Sequence, residues 1–239
     1  MDKKTEELYE HANEMLKLGN YEDAIKSYRE VIKIIPEHYD SWYKLAIIFS
    51  KLGNHKEIEI SRAKAIQINP NDYKIWNIIG HNLRLLGKYE DALDNYNKSI
   101  QCKPNYSEGW YNKGVALQDL ERYEESLDSY EKAIQIEPNY CDAWYNKANA
   151  LCNIKKYDSS LASYNKMVEI KPDDAEAWFE RAKVLKLLNR RYEARESIKK
   201  ALDIDSKFIT AQFKVEVKKR IISFFKKPWL IIVNLFKSN

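Results

Sequence analysis

Apolar and polar residues alternate along this chain on a helical rhythm. Between Ser107 and Leu120, the residues Trp110, Gly114, Leu117 and Leu120 follow one another at spacings of four, three and three, the pattern of a single helical face. A short break at Glu121–Arg122 follows, and Leu127, Tyr130, Ala133 and Ile134 then set up a second face. Pro138–Asn139 ends it, because proline lacks an N–H and disfavours helical geometry in the residue before it. The pattern predicts a helix, a tight turn, a second helix and a stop. Asn–Gly and glycine-rich hairpin signals are absent, which argues against a β-protein.

The unit recurs. Pro36, Pro70, Pro104, Pro138 and Pro172 are each 34 residues apart, and Trp42, Trp76, Trp110, Trp144 and Trp178 keep the same period. Two residue types on one ruler signal a repeat array. Extended in both directions, with Leu8 in the tryptophan column and Ser206 in the proline column, the ruler marks six repeats: 5–38, 39–72, 73–106, 107–140, 141–174 and 175–208. The stop signal reads IIPE, INPN, CKPN, IEPN and IKPD in turn. Ala12, Ala46, Gly80, Gly114, Ala148 and Ala182 form one column of small residues, and Ala24, Ala92, Ser126, Ser160 and Ala194 form another. Small side chains are needed where paired helices approach closely.

In period and residues the chain resembles the tetratricopeptide repeat (TPR) family over residues 5–208, about 85% of its length. The resemblance implies an all-α fold: an α-solenoid, a right-handed superhelix of six helix–turn–helix repeats. It also implies that Tyr28, Tyr96, Tyr130 and Tyr164 pack between neighbouring repeats. The second repeat departs from the pattern, with His55, Ile58 and Arg62 in place of the usual tyrosine, small residue and aromatic; its second helix is expected to pack less regularly. In the sixth repeat Tyr192 falls one place late and Ile198 replaces the aromatic, as terminal repeats often deviate.

In proteins of this kind the first helix of each repeat lines a concave groove that captures a peptide or a partner helix. Carried over, the groove positions are Tyr9, Asn13, Tyr43, Asn77, His81, Tyr111, Tyr145, Asn149, Phe179 and Lys183. Aromatic rings offer contact area at low entropic cost, and asparagine both donates and accepts. The same aromatics serve equally well as packing between adjacent first helices. Lys17, Lys51, Lys74 and Arg84 make the early groove basic, whereas Glu108, Asp119, Asp142 and Glu176 make the later part acidic. The carboxylate clamp of chaperone co-factors with such repeats is incomplete: Asn13, Lys44 and Lys74 match it, but Tyr9 and Ile78 stand where cations belong.

Composition narrows the function further. Charged residues reach 32%, and glycine and proline number only 6 each, which suits a helical chain. Net charge is +4, but from Ile209 to Asn239 seven basic residues stand against one acidic, leaving −2 for the first 208 residues. A near-neutral body argues against a nucleic-acid groove. Cys102, Cys141 and Cys152 lack metal-ligand spacing and read as free thiols in a reducing compartment. The N-terminal residues show no apolar signal core, so the expected address is cytoplasmic, with a peripheral position at the cytoplasmic membrane face as the variant. His11, His38, His55 and His81 are scattered over three repeats with no i, i+4 metal pair. No nucleophile motif occurs; neither an enzyme nor a cofactor is expected.

After Ser206 the repeats stop. A capping helix is expected over 209–225, carrying Phe213, Val217, Ile221 and Phe224, since a solenoid needs its last apolar face covered. Segment 226–239 contains PWLIIVNLF, nine residues that as a helix reach only ~14 Å, less than half of a hydrocarbon core of about 30 Å. It cannot span a bilayer. Trp229, Ile232, Val233 and Phe236 are left to make a contact: folding back on the repeats, self-association, or a weak contact with a membrane surface, for which flanking lysines and an edge tryptophan are suited.

Overall fold

The structure, a computed structural model, describes residues 1–205. The capping helix expected over 209–225 and the segment 226–239, with Trp229, Ile232, Val233 and Phe236, lie outside the described residues, as do the last three residues of the sixth repeat. The described residues form twelve α-helices and no strand: α1 (Lys3–Lys17), α2 (Tyr21–Ile34), α3 (Tyr39–Lys51), α4 (His55–Ile68), α5 (Tyr73–Leu85), α6 (Tyr89–Cys102), α7 (Ser107–Asp119), α8 (Tyr123–Ile136), α9 (Cys141–Asn153), α10 (Tyr157–Ile170), α11 (Ala175–Leu187) and α12 (Arg191–Ile204). Odd-numbered helices are the first helices of the six repeats. The chain divides into two compact units, one from Met1 to Pro138 with four helix pairs and one beginning at Asn139 with two.

Each helix pair is closed by a turn in which one residue takes the left-handed conformation. Gly19, Gly53 and Gly87 fill that position in the first three repeats, with φ of 74°, 67° and 74°, and Glu121, Lys155 and Asn189 fill it in the last three, at 59°, 62° and 61°. A Cβ is unfavourable there; the helix faces on either side over-determine the turn. The two columns of the ruler are parts of one device. The indole Nε1 of Trp42 donates to the carbonyl of Pro36 at 2.7 Å, and Trp76, Trp110 and Trp178 repeat the bond to Pro70, Pro104 and Pro172 at 2.8, 2.9 and 2.9 Å. Proline stops one helix, and its carbonyl, which no helix uses, anchors the next.

The core is built on the tyrosines of the second helices. Tyr28, Tyr96, Tyr130 and Tyr164 are essentially inaccessible, and burying each ring contributes roughly 2–3 kcal/mol. Tyr28 packs with Leu45 and Phe49 of the next repeat, and Tyr96 with Ala116 and Leu117. The small residues opposite are tightly held: a Cβ on Gly80 would stand 2.7 Å from the Tyr96 ring, and one on Gly114 2.6 Å from that of Tyr130.

In the second repeat, α4 forms at its full 14 residues, capped by Asn54, whose side chain accepts from the backbone N–H of Glu57. Ile58 is buried in the core with Leu45 and Phe49, so a larger residue at the small-residue position is absorbed by packing and α4 keeps its register on α3. The expected irregularity lies at the next junction: within the first unit α4 packs on α5 far less extensively than α2 on α3 or α6 on α7. Arg62 replaces the ring with a largely buried guanidinium whose one ion-pair partner among the described residues is Glu59, at 3.0 Å.

Candidate partner-binding surface

Five of the predicted groove residues belong to the packing of their own repeats as well as to its surface. The rings of Tyr9, Tyr111 and Tyr145, all half-buried, lie 5.9, 6.1 and 5.9 Å from those of Tyr28, Tyr130 and Tyr164. Asn13 accepts the Tyr28 hydroxyl at 2.7 Å, and Asn149 accepts that of Tyr164 at 2.6 Å. Where the first helix offers no asparagine, the phenol turns elsewhere: Tyr130 donates to Gln118 at 3.0 Å. Burial pushes all of these second-helix phenols well above the usual tyrosine range.

In the first unit, α3, α5 and α7 enclose a cleft of about 300 Å³, lined by Ile47, Ser50, Lys51, Asn77, Ile78, His81, Glu108 and Asn112. Asn77 is nearly buried, and its amide is fully engaged. It donates to the Tyr106 hydroxyl at 3.3 Å and to Glu108 Oε1 at 3.4 Å, and its oxygen accepts from Asn112 at 3.0 Å. Tyr106 in turn donates to Glu108 Oε2 at 2.5 Å. Tyr43, half-buried, stacks on Tyr39 at 6.0 Å. Burial, then the carboxylates of Asp72 and Glu108, push its pKa up to about 12. His81 is exposed at the cleft, yet burial of its ring and the nearby Arg84 cation hold its pKa below the ordinary histidine value. Arg84 and Asp119, expected to give opposite characters to two parts of the groove, pair at 2.8 Å and cancel.

The second unit arranges the remaining candidates differently. Tyr145 donates to Glu176 at 3.0 Å, Lys183 pairs with Glu180 at 2.7 Å, and Phe179 is buried against Ala201. Phe179 therefore presents no ring to solvent. A hollow of about 290 Å³ at the α11–α12 turn, among Lys186, Arg191 and Arg195, is lined by none of the predicted groove residues.

Of the predicted positions, the structure brings Asn77 and His81 together in the cleft. Glu108, expected as a groove charge, joins them, and Ile47, Ile78 and Asn112 complete the cleft without having been predicted as contacts. Their signal was periodicity: Ile47 shares the column of Asn13, His81 and Asn149 but is apolar, and Ile78 and Asn112 share the column one residue after that of Tyr43, Asn77 and Tyr111. The histidines have separate tasks. His38 caps α3 at Ser41, and His11 meets the Ser27 hydroxyl at 3.1 Å. Among the described residues no three His, Cys, Asp or Glu side chains are grouped to hold a metal ion. Cys102, Cys141 and Cys152 are free thiols.

Family models described as tetratricopeptide or TPR repeats match residues 12–53, 39–72, 80–121, 107–140, 129–162 and 175–208. No curated protein matches the chain in sequence. Among solved structures, the chain is similar to PilF of Pseudomonas aeruginosa, with a TM-score of 0.75 at 18% identity, covering 89% of this chain and 97% of that one. It is similar to YrrB, described as a TPR protein with an unusual peptide-binding site, with a TM-score of 0.64 at 19% identity over 80% of this chain and 99% of that one. A MamA protein gives 0.62 at 19% identity, covering 74% and 96%. At these identities the likeness is one of fold.

Proposed function

We propose, from the premise that this chain belongs to the tetratricopeptide repeat family, that it is a cytoplasmic adaptor whose first helices bind a peptide or helix of a partner protein. The observation that carries this reading is the cleft between α3, α5 and α7, where apolar side chains, amides and charges of three successive repeats converge. Ile47 and Ile78 provide apolar contact, and Asn112, Lys51 and His81 provide polar partners around it, the mixture that peptide sites use. The fold shared with YrrB, which has a peptide-binding site, supports the same use.

Pull-down with the full chain tests it. Ile78→Arg fills the cleft, and Tyr111→Ala and Tyr145→Ala remove half-exposed rings from first helices. Loss of partner recovery in Ile78→Arg, with an unchanged melting temperature, is the expected result. Undiminished recovery in all three variants removes the first helices from the mechanism.

A further inference from the structure

Glu108 differs from the other charges around the cleft in being held without being neutralised. Tyr106 and Asn77 donate to its two oxygens at 2.5 and 3.4 Å, and Asn112 fixes Asn77 from behind at 3.0 Å. These are neutral donors, which hold the carboxylate in place and bring no counter-charge to it. It sits in the first turn of α7. No lysine or arginine of the described residues forms an ion pair with it. The arginine of α5 is taken by Asp119 at 2.8 Å, and Lys51 stands over the Tyr21 ring at 5.8 Å. Tyr106 meets the carboxylate through its hydroxyl, while its ring is already met by Lys103 at 5.8 Å. The unit from Met1 to Pro138 carries 19 basic against 24 acidic residues, so its general field draws cations too.

We infer that this cleft selects a polypeptide segment that sets a lysine or arginine side chain against Glu108 and a neighbouring aliphatic side chain between Ile47 and Ile78. The inference rests on the reading of the cleft as a peptide site and adds the chemistry of what enters. Asn77 acts as a positioning residue: it touches Glu108 and aims it, without meeting the ligand's charge.

The probes are fluorescein-labelled nonapeptide libraries, each with one fixed central residue (Lys, Arg, Gln or Glu) and degenerate flanks, measured by fluorescence polarisation with the full chain. The Lys and Arg libraries are expected to bind about three- to tenfold more tightly than the Gln library, the size of one partly desolvated charge contact. Glu108→Gln should erase that difference, and Glu108→Lys should turn the preference toward the Glu library. Circular dichroism verifies the fold of each variant; if Glu108→Lys melts early, the near-isosteric Glu108→Gln decides alone. Libraries that lose binding in Ile78→Arg but show no basic preference, or keep it in Glu108→Gln, overturn this inference and leave the peptide site standing. Binding by no library, or binding indifferent to Ile78→Arg, overturns the peptide site and this inference with it.

Discussion

Three of the four buried phenols of the second helices, Tyr28, Tyr130 and Tyr164, find a partner for the hydroxyl on their own first helix, and the residue that supplies it decides what its position is free to do. Asn13 and Asn149 spend their oxygens on Tyr28 and Tyr164. Asn149→Ala should therefore cost about 1–3 kcal/mol by leaving a buried hydroxyl unpaired, visible as a lower midpoint in urea unfolding; an unchanged midpoint would refute the structural role. The left-handed turn position gives a prediction of opposite sign. Glu121, at φ 59°, occupies a site that glycine fills in three other repeats, so Glu121→Gly should stabilise the chain by ~0.5–1 kcal/mol and Gly87→Ala should destabilise it by about as much. Side-by-side thermal melts check both. At this scale the sequence was partly legible. Asparagine on a first helix announced a hydrogen bond, but its partner was a tyrosine 15 residues away in the same repeat. Glu108 was legible only as a charge; that it is held by Tyr106 and Asn77 depends on side-chain directions that periodicity does not encode.

Helices and their junctions were the most legible level, because period and stop signal act locally. The stretch Ser107–Leu120 became α7, one residue shorter, and the proline column marked the end of every described second helix that precedes it. What periodicity left open was how the two rulers connect. Trp110→Phe keeps the ring but removes the indole donor to Pro104 and should cost about 1 kcal/mol, measured as a shift of the denaturation midpoint; no shift would show the bond to be passive. The tyrosine column makes the second helices sensitive to alkali. Burial raises the pKa of Tyr28, Tyr96, Tyr130 and Tyr164 above the unfolded value near 10, so the folded chain holds these protons more tightly. Their contribution to stability is complete below pH 10 and is lost as pH rises beyond it. Thermal melts between pH 8 and 11.5 should fall steeply above 10, with the tyrosinate absorbance rising in step with unfolding. Ionisation that runs ahead of unfolding would contradict the burial. Arg62 shows how far the local code reaches. The break in the aromatic column announced less regular packing, and α4 shows it: Ile58 holds the helix on α3, but without the ring it meets α5 only sparsely.

For the molecule as a whole, the repeat count, the fold class and the family were readable because a 34-residue period repeats them. The partner was not, since a groove specifies its ligand through a few side chains that vary freely between repeats. The basic, apolar segment 226–239 carries the alternative reading of a peripheral membrane tether. No helix among the described residues is long and apolar enough to cross a membrane. Flotation with vesicles containing anionic lipid tests the tether: recovery should fall when residues 226–239 are removed, and equal recovery excludes it. The bond from tryptophan to the proline carbonyl six residues earlier has a consequence for how such a chain comes into being. A link that closes over so short a span needs nothing from distant sequence, so each junction can set as soon as its residues leave the ribosome. The growing protein then assembles one repeat at a time upon those already made.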